Sequence, residues 1–339
     1  MAWQLESRDG FNATSRVAGS QCSCHAAPAP YLGHPGLPRP PHPGGSCVTE
    51  RRAFLLLLLV ILFWAGNFPL GKLALDELGP LALTAGRALV AAPLLLLVAR
   101  FTAPLAHPLA RRDYLAFVVL GLTGLVGNTT LWYWGLKHTT ALNAGILGAA
   151  SPIFVALTAS LLLGDGLGPL NWLGIALTVA AVLVTVAKGS LETLRTLAVN
   201  RGDLVILCSQ ILWVAYSLFS RASASALPPV WVMAGANVVS ALVLIPLAAA
   251  VEPWRSPRAA PLGWAVILYG AVLVTLAHVW YYAIVRTLGP GRAAGFLNLM
   301  PFVVLGLAWL LVGEAIHAYH LIGAVLVIAG VFLTMRRIG

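Results

Sequence analysis

In a chain that is 59% hydrophobic and only 9% charged, the residues able to do chemistry are the few polar ones set inside long apolar runs. Asn67 sits in the first such run and Arg87 in the second. Asn128 and Trp132 stand four apart in the third, Tyr216 falls in the sixth, His278 and Tyr282 are four apart in the eighth, and Asn298 lies one turn before Pro301 in the ninth. A spacing of four places two side chains on one helix face, and Pro301, lacking an N–H, frees a carbonyl one turn earlier. Polar groups at that depth face a cavity or a partner helix, because hydrocarbon gives them nothing to bond. The chemistry on offer is recognition of a small polar molecule, with no nucleophile or acid–base pair for catalysis. His278 is the candidate proton acceptor, an ordinary imidazole titrating near pH ~6.5; its alternative is a neutral ring bonded to a neighbour. For Asn67, Tyr216 and Asn298 the competing role is interhelical glue, at about 0.6 kcal/mol per bond. Arg87 either binds a substrate carboxylate or pairs with Asp76 or Glu77 at the mouth of its run. Lys72, near a helix end with the same two acids close by, is expected in an interfacial ion pair.

The elements that must position these residues are apolar runs of about twenty residues, each long enough to cross a bilayer. They fall at roughly 54–75, 80–100, 114–135, 141–163, 170–188, 203–220, 229–251, 263–285, 292–312 and 319–337. The fold class is therefore all-α integral membrane, with ten transmembrane helices. A shift of 149 positions lays the second half on the first without a gap: Arg201 on Arg52, Trp213 on Trp64, Gly270 on Gly121, Tyr282 on Tyr133, Pro301 on Pro152, Gly313 on Gly164, Glu314 on Asp165 and Gly323 on Gly174. Residues 51–188 and 201–337 are thus two copies of one five-helix unit. Five is odd, so the second copy enters the membrane from the opposite side, and the repeats are inverted about an axis in the membrane plane. Asp165 and Glu314 each follow a Gly at a turn, where a carboxylate caps the next helix. The expected site lies between the repeats.

Residues 1–48, rich in Pro, Gly, Ser and His, read as a disordered tail, or as a stretch upstream of a true start near Val48. A net charge of +10 is carried by residues between the runs and near their ends, which fits control of topology and excludes a nucleic-acid surface as the simplest reading. The loop Arg residues, Arg51, Arg52, Arg111 and Arg112 among them, favour cytoplasmic termini in an inner (plasma) membrane. Cys22, Cys24, Cys47 and Cys208 form no disulfide framework or metal-finger pattern. His317 and His320 beside Glu314 come nearest to a metal site or a membrane-enzyme centre, without a residue that completes the set. No cofactor is expected, no Gly-x-x-x-x-Gly-Lys phosphate loop is present, and monomer and homodimer both stay open.

Trp64-Ala-Gly-Asn67-Phe-Pro-Leu-Gly-Lys72 in the first run, Arg87 in the second, and Gly313-Glu314 leading through His320-Leu-Ile-Gly323 to Gly330 resemble the drug/metabolite transporter superfamily, EamA type, over residues 50–337. The first copy departs from the pattern with Asp165 in place of Glu, and Ala236 stands where a second Arg87 would fall. The resemblance implies a ten-helix carrier that moves small organic metabolites, such as amino acids and related compounds, usually outward. It implies alternating access, driven by the proton gradient or by exchange. The rival reading is a lipid- or metabolite-modifying membrane enzyme.

Overall fold

The computed structural model describes residues 50–105, 108–163, 167–190, 192–193, 199–222, 227–252, 255–288, 296–297 and 299–335. The tail, Asp165 and Asn298 lie outside the described residues. Ten helical segments cross or line the bundle: α1 (Glu50–Ala74), α2 (Pro80–Thr102), α3 (Arg111–His138), α4 in two pieces (Ala141–Ala149 and Ser151–Leu163), α5 (Pro169–Val186), α6 (Arg201–Ala222), α7 (Pro229–Val251), α8 (Pro261–Leu288 in three pieces), α9 (Met300–Val312) and α10 (Ala318–Met335). Eight are long and apolar enough to span a bilayer, and α9 and α10 are shorter apolar helices. Proline opens α2, α5, α7 and α8, where its missing N–H has no partner to lose. The outer faces expose leucines such as Leu97, Leu161 and Leu310, and such a surface is stable only against lipid. This is a multi-pass membrane protein.

The internal shift reappears as packing. Pro80–Thr102 and Pro229–Val251 are 149 apart at both ends, as are Pro169–Val186 and Ala318–Met335, and each of these mated pairs packs together, α2 on α7 and α5 on α10. Mates pair where the pseudo-two-fold axis passes between them. Small residues permit the close approach. A Cβ on Gly174 would lie 2.5 Å from the Gly330 carbonyl, one on Gly330 would lie 2.6 Å from the Gly174 carbonyl, and one on Gly323 would strike the Thr185 hydroxyl at 2.6 Å. Gly135 and Gly202 do the same for α3 on α6.

Two features break the regular helices, and the first occurs in each repeat. α3 is π-helical over Gly121–Thr129 and α8 over Tyr269–Val274, mated positions that begin on or beside the mated glycines Gly121 and Gly270. Such bulges let an extra residue loop out of register and recur at functional sites. α4 is interrupted at Ala150, where Ser151 turns its hydroxyl onto the Gly148 carbonyl and Pro152 withholds an N–H. α9 begins at Met300, the mate of Ser151.

The crossing of α5 and α10 predicts a pair of outcomes. Gly174→Leu meets backbone, which cannot step aside, and should lower stability by about 1–3 kcal/mol. Gly306→Ala, where nothing lies within 4 Å, should leave it unchanged or slightly raised. Thermal unfolding in detergent, followed by tryptophan fluorescence, checks both.

Candidate functional site

Four helices bring a polar cluster together around α1. Arg87 on α2 donates through its guanidinium to the Tyr133 hydroxyl on α3, and its Cζ stands 5.6 Å from the centre of the Tyr133 ring. The same hydroxyl donates to Asn67 Oδ1 on α1 at 3.2 Å. The guanidinium fits because Gly270, in the π-helical stretch of α8, has no side chain: a Cβ there would sit 2.9 Å from Arg87 Cζ. Tyr133 is fully buried, lodged over Gly71. Tyr269 closes another side, its hydroxyl donating to the Phe63 carbonyl at 2.8 Å and its tip filling the gap over Gly66. Among the described residues no carboxylate pairs with Arg87. Of the two roles the sequence leaves open for Arg87, the pairing with Asp76 or Glu77 is not formed: the guanidinium is turned inward to Tyr133, and Glu77 accepts from Gly263 N.

Aromatic walls flank the cluster. Trp132 meets Phe68 edge to face at 5.3 Å and lies over Gly148 at the end of the first α4 piece. On the other side Trp64 stands 4.8 Å from the His278 ring and 5.2 Å from Tyr281. His278 is bonded through Nδ1 to the Val274 carbonyl of its own helix at 2.7 Å, so the ring is a donor at that nitrogen. Asn67, Arg87, Trp132 and His278 are thus brought to one region. Asn128 is turned away, donating to the Ser209 carbonyl on α6 at 2.9 Å, and Tyr216 stacks on Trp213 and fills the space over Gly124. The side chain of Tyr282 lies outside the described part of the structure. Tyr133 and Tyr269 were not among the residues singled out from sequence. The available signal was the repeat itself, in which Tyr133 is one member of a mated tyrosine pair.

One end of the bundle carries Lys72, Lys137 and Lys188 and opens into a cavity of 1030 Å³, lined among others by Thr139, Asn143, Asn200, His317 and Tyr319. Lys72 does not form the expected ion pair. Its ammonium caps the carboxyl end of α3, donating to the carbonyls of Leu136 (2.8 Å), Lys137 (3.2 Å) and Thr139 (2.5 Å), a favourable place for a cation. The acids cap helix starts in the opposite repeat. Glu77 accepts from Gly263 N on α8 at 2.7 Å, and Glu252 from Ala82 N on α2 at 2.8 Å. Glu314 accepts from both Ala141 N and Leu142 N at 2.8 and 2.9 Å. Glu314 is therefore a cap, but of α4 and not of the helix that follows it in sequence. Gly313 makes the turn that sends it there, with φ 72°. Among the described residues no three metal-ligating side chains converge.

Inverted five-helix repeats, paired mates on the axis, interrupted helices and a polar cluster between the halves define a membrane transporter architecture. The EamA-like transporter family matches the chain twice, at residues 51–187 and 200–336, and the protein belongs to it. It is 29% identical over 280 residues to the uncharacterized transporter YyaM of Bacillus subtilis (82% of this chain, 92% of that one) and 31% identical over 288 residues to an uncharacterized transporter of Archaeoglobus fulgidus (84% and 98%). A protein of Streptantibioticus cattleyicolor named "Probable terminal-alkyne amino-acid exporter" is 27% identical over 287 residues (84% and 94%). A solved crystal structure shares the fold with TM-score 0.58 at 21% identity, over 85% of this chain and 98% of that one.

Glu314→Ala leaves two amides at the start of α4 without acceptors. The expected cost is about 1–3 kcal/mol, seen as a lower unfolding temperature, with Glu314→Gln falling between the variant and wild type.

Proposed function

We propose that the protein exports small carboxylate-bearing metabolites, amino acids or close relatives, across the inner membrane by alternating access, as a carrier and not an enzyme. The observation that carries this reading is Arg87: a guanidinium inside the bundle, hydrogen-bonded to a phenol and backed by an amide, with no carboxylate among the described residues paired with it. A cation at that depth is costly to keep, and an incoming carboxylate is the group that repays it through charge-assisted, bidentate bonds. The aromatic surfaces of Trp64 and Trp132 suit the apolar remainder of such a molecule. The names of the relatives, transporters and an amino-acid exporter among them, support the same class. The repeat gives a further reason: position 236, the mate of Arg87, is Ala, and the nearest atoms to a Cβ on the mated glycine Gly121 are the Ala236 carbonyl oxygen (2.8 Å) and the Val239 side chain. The fold is complete without an arginine there, so Arg87 answers to something other than folding.

In this reading both termini are cytoplasmic, the lysine end faces outward, and the large cavity is the outer vestibule. Asn67 lies five residues below Lys72 on α1, and Tyr133 four below Lys137 on α3, so the cluster sits one turn or slightly more beneath that vestibule.

The test is flux of a radiolabelled panel of amino acids and related acids in proteoliposomes. Wild type should move at least one carboxylate-bearing class. Arg87→Gln should weaken it by about ten- to a hundredfold, the loss of a charged hydrogen-bond donor, with Arg87→Lys retaining part and Tyr133→Phe, which leaves the guanidinium unbraced, falling between. Equal flux in wild type and Arg87→Gln refutes the role of Arg87.

A further inference from the structure

One of the described carboxylates that neither cap a helix of the other repeat nor belong to the Arg87 cluster is set behind the wall of the vestibule. Asp203, in the first turn of α6, is fully buried. It accepts from the Thr139 hydroxyl, and from Asn143 Nδ2 at 3.3 Å to Oδ1 and 3.1 Å to Oδ2. Thr139 and Asn143 both line the vestibule, so Asp203 stands one side chain behind its wall. Asn143 is itself almost wholly buried, and its Oδ1 has no hydrogen-bond partner. Its orientation is fixed by chemistry: the amide must present its NH₂ to a carboxylate, which leaves the carbonyl oxygen orphaned. A buried acceptor without a donor costs about 1–3 kcal/mol and calls for an explanation.

A proton on Asp203 supplies one. A carboxylic acid and a primary amide are complementary, with N–H donating to one acid oxygen while the acid O–H donates to the amide oxygen. Adding one proton to Asp203 forms an O–H bond, neutralises the carboxylate and gives Asn143 Oδ1 the donor it lacks, after a turn about a soft terminal torsion. We infer that Asp203 is a proton-binding site paired with Asn143 and served by the vestibule, and that it is the carboxylate through which transport responds to a proton gradient. The second half of that statement rests on the carrier reading; the first does not.

The groups around Asp203 give the site its position in the machine. Lys188 at the end of α5, which has φ 52°, and Tyr319 at the start of α10 are within electrostatic reach of it. Lys72 on α1 holds the Thr139 carbonyl. Lys137, His138 and His317 also face the vestibule, and Glu314 caps the same first turn of α4 that carries Asn143. A change of charge at Asp203 therefore acts where helices of both repeats meet. The repeat again serves as control: the mates of Asp203, Thr139 and Asn143 are Phe54, Leu288 and Arg292, and Phe54 packs on the Phe296 ring at 5.1 Å. None of these three mated positions holds an acid, so the repeat plan does not itself demand one.

Infrared difference spectra of the reconstituted protein, between alkaline and mildly acidic buffer, test the protonation directly and need no substrate. Wild type should show a carboxylic-acid carbonyl band on acidification that is missing from Asp203→Asn and moved in frequency in Asn143→Ala, which keeps the acid but removes its amide. Identical difference spectra in wild type and Asp203→Asn overturn the proposal whether or not any compound is transported, and the Asn143→Ala spectrum covers the case in which Asp203→Asn fails to fold. For a compound that wild type moves, Asp203→Asn should keep exchange while losing the acceleration given by a pH gradient. A gradient response that survives in Asp203→Asn and is lost in His278→Ala overturns the coupling role.

Discussion

Hydrocarbon offers no hydrogen bonds, so every helix end near it must be closed by the protein itself. At the lysine end three helix starts are closed by glutamates from the opposite repeat: Glu77 on α8, Glu252 on α2, and Glu314 on α4. At the other end the starts of α3 and α5 are closed locally, by Asp113 on Ala110 N and Asn171 on Gly168 N, at 2.8 and 2.9 Å. The two ends of one bundle are held by different means. The halves are stitched by charge-assisted bonds where the vestibule lies, and along the axis by helix packing with Asn171 Nδ2 of α5 donating to the Thr334 carbonyl of α10 at 2.7 Å. Lys72 belongs to the same economy of bonds, spending its ammonium on three carbonyls and leaving the nearby acids free to reach across.

The inverted repeat is also an internal control experiment. Whatever both copies share is what the fold needs: the π-helical stretches, the glycines at mated positions, the helix starts at Ser151 and Met300, and the pairing of α2 with α7 and α5 with α10. What only one copy holds is open to another purpose. Arg87 against Ala236 and Asp203 against Phe54 are such departures, and both are ionisable groups set into a bundle of low dielectric, where keeping them is expensive. Tyr133 links the first of these to Asn67, and Asn143 links the second to the vestibule.

Most of the architecture was legible in the sequence because its signals are local or periodic. Run length gives the helices, and the constant shift gives the repeats and hence their inversion. The site was only partly legible. Asn67 and Arg87 meet through the Tyr133 hydroxyl, yet spacing along a helix says which residues share a face and not which neighbour that face meets, so it does not reveal that Asn128 bonds the Ser209 carbonyl or that Tyr216 stacks on Trp213. Tyr133 enters the sequence reading only as the mate of Tyr282, since nothing local shows that its hydroxyl reaches Arg87 and Asn67 on two other helices. The partner of Glu314 is 173 residues earlier in the chain, and no local rule points there. The π-helical stretches depend on glycines whose neighbours, Arg87 and Ala236, come from another helix.

The central claim is that the interior of this bundle reads a carboxylate through Arg87. Calorimetric titration of the detergent-solubilised wild type, with the best-transported acid and with its methyl ester, tests it most directly, since the two differ by one charge and little shape. The account predicts heat of binding for the acid and at least a tenfold weaker response to the ester, the smallest change expected when a charged hydrogen-bonding partner is removed. Equal affinity for acid and ester would contradict it, showing that the cavity recognises the apolar body of its ligand and that Arg87 serves only to hold Tyr133 in place.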